Sequence, residues 1–592
     1  MSLRALWDDP DLFYWVRLFL IFIATLTGCN FLANVAWRAA LRDTNGEKRR
    51  QILQKLGRLN DGRMYMFVGF LHPYSHGGGG GERVLFEAIK YQQQTDANII
   101  CVVYTGDISP LQGGVSKEDM LARAKERFGL EVDASRLHFL PLRNRYLVSD
   151  TFWPAFTLAG QAYGANRLGY EALGMLVPDV FIDTTGYAFA LSPVKNFSKQ
   201  VRVGAYVHYP TISTDMLRRV RNREAGVTNS SWIAAYAPVS WVKYVYYRIF
   251  AAKYGAALRK ADVIVCNGTW THAHIQDLLQ YRVPRPWSTP QLPTLRIVHP
   301  PCDTESFAKI PLDHRQTRWM VSVAQFRPEK DHELQLRILR GLLDKHPELK
   351  SSRGADRPLR LILIGSCRNE ADQKRLASLK ALAKELLIEN HLEWHIDAPY
   401  SVLLEKMRQA NIGLSTMVDE HFGIAVVEFM AAGLLTLSHA SAGPMQDIAV
   451  PVDGMETGFH ARTLDEYVKT AYRLMCMPAD VAMKIRQVAR TRATTTFSDT
   501  EFQRSWRKNM WDELVPPELI AMNNRLLAER AKAQQRLAAA SASVVSTPAS
   551  KTQTEEDAVP DAPAGQTLSD AEAVTTAMPE ASTATRRSVP SS

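Results

Sequence analysis

The sequence predicts an α/β protein with two βα-repeating domains behind an N-terminal membrane anchor. Short apolar runs typical of buried strands alternate with helical stretches from residue 64 to residue 266, and the alternation restarts at residue 319. With 592 residues and 46% hydrophobic content, the chain is long enough for two such cores. We place the anchor at residues 1–37, the first domain at 60–300, the second at 301–497, C-terminal helices that pack back at 498–535, and a disordered tail at 536–592.

The first apolar segment, residues 18–36, spans about 28 Å as a helix and is long enough to cross a bilayer. Asn30 and Asn34 weaken it as a span, so a helix lying in the interface stays an alternative. It lacks an A-x-A cleavage pattern, which favours an uncleaved anchor over a signal peptide. Basic residues cluster on its C-terminal side between Arg38 and Arg58, so the positive-inside bias predicts that the following domains are cytosolic.

The formal net charge of +10 indicates nucleic acid, an anionic membrane surface or a phosphate-bearing substrate as the partner. The basic residues are dispersed and no nucleic-acid-binding motif occurs, so nucleic acid is not expected. The six cysteines include no C-x-x-C pair and no histidine partner at metal-ligand spacing. They predict buried free thiols in a reducing compartment and no zinc site.

A run of five glycines, residues 77–81, lies between a predicted strand at 64–71 and a predicted amphipathic helix from Glu82. This arrangement lets backbone N–H groups approach a phosphate closely. No Lys-Ser/Thr pair follows the last glycine, so the run is not a Walker loop, and its spacing is not that of a dinucleotide-binding fingerprint. A merely flexible loop is the alternative.

Polar residues follow three predicted strands of the first domain. His72 follows the first strand, Asp183 ends the strand at 180–183, and His208 follows the strand at 201–207. Functional residues of open parallel sheets lie at such strand ends, so all three are site candidates. A structural histidine in a turn is the alternative for His208.

Two first-domain segments, residues 151–177 and 232–258, are rich in aromatic residues. The second mixes Trp and Tyr with Lys243, Arg248 and Lys253, which is typical of a helix at the membrane interface. A core helix whose basic side chains extend to solvent is an equal alternative.

Two carboxylates flank a predicted turn and helix in the second domain. Glu420 ends a loop, Phe422 and Gly423 make a tight turn, and a helix runs from Ile424 past Glu428 to the next glycine. A helix start beside glycine-containing loops suits an anionic ligand. The carboxylates could bond separate hydroxyl-bearing parts of one extended ligand, or one could cap the helix while the other is solvated.

This segment resembles the signature E-x-F-G-x-x-x-x-E-x-M-A-x-G-x-P-V of the retaining glycosyltransferases of family 4, except that Leu434 or Leu435 stands where the family often has proline. The resemblance spans about residues 64–515. It implies the GT-B fold, in which two doubly wound Rossmann-like domains face a cleft and the second domain holds a nucleotide sugar.

The resemblance also implies roles for second-domain residues. Glu428 would bond the ribose hydroxyls and Glu420 the transferred hexose, while backbone amides near Phe422, Gly423 and Ile424 would hold sugar and phosphate. Lys330 and Arg327 would neutralise the diphosphate leaving group. The family's arginine usually stands five residues before the lysine, where this chain has Gln325, so the role falls less firmly on Arg327 than on Lys330.

On the first-domain side, the resemblance implies that Gly79, Gly80 and Gly81 line the cleft opposite the phosphates and that His208 contacts the sugar. His72 and Asp183 are acceptor-side candidates. No D-x-D motif occurs where one would be expected, so we expect transfer without a metal or cofactor. We name no enzyme nucleophile, because attack on the leaving-group face needs only positioning and leaving-group stabilisation.

Within family 4, the segments HPY-x-x-x-GGGGERVL, FIDTTGYAF, YVHYPTIS and SVAQFRPEKDH resemble endoplasmic-reticulum α-1,2-mannosyltransferases. The resemblance implies transfer of the fourth and fifth mannoses from GDP-mannose to dolichyl-diphosphate-linked Man3GlcNAc2 on the cytosolic face. The expected partners are that membrane, its lipid-linked oligosaccharide and other mannosyltransferases acting on it. The alternatives are a sibling α-1,3/α-1,6 mannosyltransferase acting earlier and a membrane-tethered, non-catalytic scaffold.

Overall fold

The computed structural model describes residues 10–108, 114–224, 229, 231–281, 292–313, 315–352, 354, 357–367 and 369–515. The predicted tail at 536–592, residues 516–535 of the predicted C-terminal helices and most of the proline-rich stretch before residue 292 lie outside these ranges. The described residues all fall within one compact unit.

The first domain is a seven-stranded parallel sheet with strand order β3-β2-β1-β4-β5-β6-β7. Its strands, β1 to β7, are Met66–Leu71, Ile99–Thr105, Leu137–Pro141, Val180–Asp183, Arg202–Val207, Val263–Cys266 and Thr294–Ile297. Helices α1 to α9 are Pro10–Lys55, Gly80–Thr95, Lys117–Phe128, Thr157–Met175, Leu191–Phe197, Thr214–Arg221, Ser231–Ala235, Ala237–Leu258 and Thr269–Gln280. The strand order reverses between β1 and β4, and such a switch point opens a crevice at the carboxyl edge.

The second domain is a six-stranded sheet with order β10-β9-β8-β11-β12-β13. Its strands, β8 to β13, are Gln316–Val323, Arg360–Gly365, Leu392–Ile396, Ala410–Leu414, Leu435–His439 and Phe459–Ala461. Helices α10 to α18 are Thr304–Ala308, His332–Lys345, Glu370–Glu385, Tyr400–Gln409, Ile424–Ala432, Leu464–Met475, Ala479–Thr496, Asp499–Trp506 and Asp512–Leu514. Its switch point lies between β8 and β11, and the predicted fold of two doubly wound domains is confirmed.

The central strands are nearly continuous runs of buried apolar residues because helices cover both sheet faces. Three strands that the sequence analysis did not predict, β3, β7 and β13, lie at sheet edges. Edge strands are only partly covered, so their sequences carry weaker apolar runs than the central strands. These strands were hard to predict because the sequence signal used for strands is a run of buried apolar residues, which edge strands lack.

After α16 the chain returns to the first domain. Phe502, Trp506 and Met510 are buried in the same cluster as Tyr206 of β5, and the Arg202 guanidinium donates a 2.9 Å hydrogen bond to the Leu514 carbonyl. A π-helical turn, Arg507–Trp511, joins α17 to α18. This returning segment therefore ties the end of the second domain to the back of the first sheet.

Helix α1 runs to Lys55, well beyond the predicted anchor boundary at residue 37. Its part Arg17–Lys55 contains an 18-residue window of mean hydropathy 1.9, long and apolar enough by length and composition to cross a membrane. Beyond residue 37, Leu41 and Ile52 are buried in the first-domain core. The helix is therefore longer than predicted because its second half packs on the domain.

The described cysteines carry no disulfide, and Cys101, Cys266 and Cys302 are buried as predicted. Cys29 and Cys476 are exposed, so the prediction of buried thiols was wrong for these two. Cys29 lies on an exposed part of α1.

Candidate functional site

The second domain presents two candidate residues from loops that follow the adjacent strands β8 and β11. Lys330 ends a 3₁₀ turn, Pro328–Lys330, and Glu420 lies in the loop before α14. The Lys330 Nζ donates a 2.6 Å hydrogen bond to Glu420 Oε2 and lies 3.1 Å from Met417 Sδ. The two side chains are 25% and 16% exposed, so they form a partly buried ion pair at the switch point.

The start of α14 is shaped by three residues of the signature. Phe422 is buried between His299 and Phe497, and Gly423 has φ +108°, a conformation that favours glycine. Ile424 is the first helical residue. The first N–H groups of a helix have no intrahelical partner, so this turn presents backbone donors to the cleft.

Glu428 lies one turn further along α14. Burial raises the pKa of its carboxyl group to about 7, and the nearby Arg83 guanidinium opposes that rise. None of the hydrogen bonds in the described part of the chain ends on this carboxylate. Glu428 therefore presents unused acceptor oxygens in an enclosed setting, which suits the hydroxyl groups of a ligand.

The glycine loop of the first domain meets α14 across the cleft. A Cβ on Gly80 would lie 2.4 Å from Ile424 Cδ1, and one on Gly81 would lie 3.6 Å from His208 Nε2. Gly79 precedes α2, and its N–H donates to Glu82 Oε2 at 2.9 Å. Glycine at position 80 thus permits the close approach of the two domains.

His208 and His72 both lie near Gly81 at the carboxyl edge of the first sheet, 3.6 and 3.9 Å from the position that a Cβ on Gly81 would take. His208 Nε2 lies 3.1 Å from the Thr184 carbonyl, and His72 Nδ1 lies 2.8 Å from Thr184 Oγ1. Burial lowers the pKa of both imidazoles to about 4, and His72 adds to the lowering at His208. Both rings are therefore neutral at physiological pH.

Asp183 is completely buried and serves its own turn. Its carboxylate accepts hydrogen bonds from the N–H and hydroxyl of Thr185, at 3.0 and 2.8 Å, and from the Gly186 N–H at 3.1 Å. Burial raises its pKa to about 6. The Asp183 carboxylate therefore stabilises the turn at Thr185 and Gly186, next to Thr184.

Two adjoining cavities occupy the cleft. The His208 cavity, about 290 Å³, and the Glu428 cavity, about 440 Å³, share the lining residues Gly80, Val323, Ala324, Lys330 and Ile424. Other predicted residues lining the His208 cavity are Gly81, His208, Glu420, Phe422 and Gly423, and those lining the Glu428 cavity are Gly79 and Glu428. Together they form an elongated space with Lys330 at its middle.

Three predicted site residues line neither cavity: Arg327, His72 and Asp183. Arg327 precedes the 3₁₀ turn that carries Lys330, and its backbone is extended there. Gln325, at the position where the family usually has arginine, does line the Glu428 cavity. The structure therefore brings Lys330 to the cleft without Arg327 beside it.

Several cavity residues were missed by the sequence analysis. Arg83 and Arg127 line the Glu428 cavity together with Tyr400, and Tyr209 and His421 line the other cavity with ring centroids 4.0 Å apart. Arg83 stands two residues after the glycine run and Tyr209 directly follows His208, so their positions were available as signals. Arg127 and Tyr400 lie on separate helices, and only tertiary packing brings them to the cleft.

Polar contacts join the domains beside the cavities. Arg219 Nη2 of α6 lies 2.8 Å from Asp419 Oδ2, and the N–H of Thr269 donates to Asp447 Oδ2 at 2.9 Å. The Asp447 carboxylate thereby caps the start of α9 from the opposite domain. Within the described part of the chain, no group of three or more His, Cys, Asp or Glu side chains could hold a metal ion.

Comparison with known families assigns the two domains separately. Residues 65–279 match the family described as "ALG11 mannosyltransferase N-terminus", and residues 303–479 match "Glycosyl transferases group 1". These two matches cover every strand of the two sheets except β7.

Curated relatives match across both domains. The chain is 41% identical over 461 residues to the GDP-Man:Man(3)GlcNAc(2)-PP-Dol alpha-1,2-mannosyltransferase of Homo sapiens, covering 77% of this chain and 89% of that protein. It is 38% identical over 467 residues to the enzyme of the same name from Neurospora crassa, covering 76% and 81%. Such similarity over most of both chains identifies a common family.

Solved structures support the fold alone. A UDP-forming α,α-trehalose-phosphate synthase from Burkholderia xenovorans has a TM-score of 0.53 at 12% identity, covering 76% of this chain and 99% of that chain. A trehalose-6-phosphate protein from E. coli bound with UDP-2-fluoro glucose has a TM-score of 0.54 at 12% identity, covering 75% and 98%. These neighbours agree with the two-domain GT-B architecture.

Proposed function

Because this chain belongs to the family of GDP-Man:Man(3)GlcNAc(2)-PP-Dol α-1,2-mannosyltransferases, we propose that it transfers mannose from GDP-mannose to a dolichyl-diphosphate-linked oligosaccharide. The product linkage is α-1,2, and the anomeric configuration of the donor is retained. The acceptor is Man3GlcNAc2, to which the enzyme adds the fourth and fifth mannoses in succession. The observation that carries this proposal is the 41% identity over 461 residues that span both domains.

The elongated space in the cleft fits a nucleotide sugar as donor. GDP lies in the Glu428 cavity, with the unused carboxylate of Glu428 accepting hydrogen bonds from the ribose hydroxyls. The mannose lies in the His208 cavity, where Glu420 and the backbone donors at the start of α14 hold its hydroxyls. This arrangement places the diphosphate at Lys330, which both cavities share.

Lys330 stabilises the leaving group as the glycosidic bond breaks. An ammonium group has three donors, of which one is used by Glu420 and another faces Met417 Sδ. The third is free to reach a phosphate oxygen, on which negative charge develops in the transition state. Glu420 keeps the ammonium in place, so its carboxylate serves both the sugar and the cation.

His208 acts as a neutral hydrogen-bonding group and not as a cation. Its lowered pKa of about 4 leaves the imidazole uncharged, and its Nε2 faces the Thr184 carbonyl. The other ring nitrogen can then accept a hydrogen bond from a sugar hydroxyl.

The hydroxyl group of the acceptor glycan attacks on the leaving-group face, and no side chain is assigned as nucleophile. No metal or cofactor takes part in this proposal.

The chain is held at the endoplasmic-reticulum membrane by α1, with both domains on the cytosolic side. Trp37 of α1 packs on Tyr170 of α4, and Asn45 further along α1 donates to the Val177 carbonyl just after α4. The two helices therefore run in the same direction. The start of α4 consequently points toward the apolar half of α1 and the bilayer.

Exposed aromatic residues lie at the start of α4 and on α7 and α8, and we call them the exposed aromatic face. Phe156 contacts Tyr246 of α8 at 5.6 Å, which joins the two aromatic segments predicted from sequence. The exposed fractions are 71% for Phe156, 60% for Trp232 and 66% for Trp241. We assign this face to the headgroup region, where the lipid-linked acceptor presents its glycan. Most buried residues of α8 lie in its second half. The interpretation as an interfacial helix therefore describes the first half of α8, and the interpretation as a core helix describes the second half.

The deciding experiment is transfer of labelled mannose from GDP-mannose to synthetic lipid-linked Man3GlcNAc2, with linkage analysis. Two added α-1,2-linked mannoses are the expected result. Transfer only to a shorter lipid-linked glycan would identify a sibling α-1,3/α-1,6 mannosyltransferase. If no lipid-linked acceptor received mannose, the remaining interpretation would be a membrane-tethered, non-catalytic scaffold. Loss of transfer on adding EDTA would overturn the proposal that no metal takes part.

A further inference from the structure

Two arginines of α3 converge on the glycine loop. A Cβ on Gly78 would lie 3.4 Å from Arg127 Nε and 3.6 Å from Arg123 Nε. The two residues are four apart on α3, so they lie on the same face of the helix. We refer to Arg123 and Arg127 as the α3 arginine pair. Gly78 itself has φ +69°, so the loop bends where the two guanidinium groups meet it.

The α3 arginine pair carries positive charge that the described residues do not neutralise by an ion pair. The ion pairs of the described residues include neither guanidinium, and the Arg123 Nε is buried without a hydrogen-bond partner. Two cations that face one loop repel each other when nothing lies between them. An anion above Gly78 would offset that repulsion.

The other cations of the Glu428 cavity are already engaged. The Arg83 Nη2 donates to both carboxylate oxygens of Asp499 at 2.8 Å, so its charge is paired, and Lys330 is paired with Glu420. Arg127 also lines this cavity and is exposed. It is therefore the lining cation whose donors are available to an incoming ligand.

Among the described residues of the second domain, Lys330 is the one Lys or Arg that lines the Glu428 cavity. Gln325 occupies the usual arginine position and lines the cavity, whereas Arg327 lies outside it. The diphosphate of a nucleotide sugar carries two negative charges near neutral pH. When the sugar is transferred, the bond to the diphosphate breaks and further negative charge develops on the diphosphate. Lys330 carries one positive charge and is already paired with the Glu420 carboxylate. It therefore cannot by itself neutralise the charge of the diphosphate.

We infer that the α3 arginine pair binds the diphosphate of the donor from the first-domain side, and so supplies the cation that Gln325 does not. Arg127 contacts the phosphate oxygens, and Arg123 lies behind it against the glycine loop. This inference rests on the proposed nucleoside-diphosphate-sugar donor. It makes α3 part of the donor site, although no residue of α3 belongs to the glycosyltransferase signature.

The test compares GDP with guanosine, because the two differ only in the diphosphate. Binding to the full-length protein in detergent is measured for the wild type, R127A, R123A and R127K, by calorimetry for GDP and by saturation-transfer NMR for guanosine. Lys125→Ala is the matched control, since Lys125 lies on α3 but pairs with Glu131, away from the loop. Arg127 is exposed, so R127A is expected to keep the wild-type Tm.

R127A should raise the Kd for GDP roughly tenfold to a hundredfold, as expected for a lost charge-assisted hydrogen bond. The Kd for guanosine should stay within about twofold of the wild-type value. R127K should recover part of the loss, because lysine keeps the charge without the planar fork. K125A should bind both ligands as the wild type does. Unchanged GDP affinity in both R127A and R123A, or equal weakening of GDP and guanosine, would overturn the inference.

Failure of the proposed donor gives a different result. A wild-type protein that binds UDP in place of GDP would overturn the assignment of GDP-mannose. The arginine inference is then tested in the same variants with UDP and uridine, and the same selective loss of the diphosphate ligand is expected.

Discussion

Lys330 and Glu420 lie 90 residues apart in the chain, yet their side chains meet at 2.6 Å at the switch point of the second sheet. The strand order places the loops after β8 and β11 side by side, so the ion pair is a direct consequence of the topology. It stands where the two cavities of the cleft join, which makes it the centre of the proposed reaction.

Replacing Glu420 with alanine should lower kcat for mannose transfer at least about a hundredfold, because the sugar loses a carboxylate and Lys330 loses its anchor. The Glu420→Gln variant should retain more activity, since an amide can still accept a hydrogen bond from Lys330. The rates are measured with GDP-mannose and lipid-linked Man3GlcNAc2, and circular dichroism checks the fold. A folded alanine variant with near-normal kcat would contradict the assignment of Glu420.

The raised pKa of Glu428, about 7, predicts pH-dependent donor binding. The ionised carboxylate is the better acceptor for ribose hydroxyls, so KM for GDP-mannose should rise as the pH falls through about 7. The rise in KM should be at most about tenfold per pH unit and should level off at the KM of the protonated form. E428Q should show a higher KM with little pH dependence, and an unchanged pH profile would exclude this role.

The same shift predicts an effect on stability with a defined sign. The folded-state pKa exceeds the ordinary value of 4.5, so burying the ionised form costs free energy and stability should increase as the pH falls from above 7 toward 4.5. E428Q should therefore raise the free energy of unfolding at pH 8, by at most about 3 kcal/mol. Urea unfolding at pH 8 and pH 5 measures the difference, which should shrink at the lower pH.

Two truncations of α1 should separate anchoring from folding. Deleting residues 1–37 should release the protein from membranes or loosen its binding while it stays folded, because the packed residues Leu41, Arg49 and Ile52 remain. Deleting residues 1–56 should also lower Tm by several degrees, since it removes buried side chains and the ion pair between Arg49 and Asp179. Flotation with microsomes and thermal unfolding give the two readouts. Full membrane retention of the shorter deletion would show that α1 is not the main contact.

The exposed aromatic face should contribute the remaining membrane affinity. In the protein that lacks residues 1–37, the double substitution W232A/W241A should reduce binding to phosphatidylcholine–phosphatidylserine vesicles about tenfold without changing Tm. The control is V481A, an exposed apolar residue on α16 of the second domain. Equal loss in the control, or no loss in the tryptophan variant, would contradict the assignment of this face.

The parts of the fold that the sequence predicted share one physical basis. The strand at 180–183 and the helix from Ile424 have the predicted bounds, because buried runs and glycine-marked turns are local signals. The glycine loop was also visible locally, since a strand, a glycine run and a helix start follow one another. The edge strands and the packed half of α1 were not, because their stability comes from neighbours distant in sequence.

The sequence by itself determined the α/β class, the signature of the second domain and most residues of the cleft, because these depend on spacing along the chain. Only the tertiary structure decided that Lys330 pairs with Glu420, that Arg327 lies outside the cavities, and that Arg127 lines one of them. A charged side chain acts through its distance to other charges, and the folding of two sheets sets those distances. The electrostatics of the cleft are therefore a property of the packed domains.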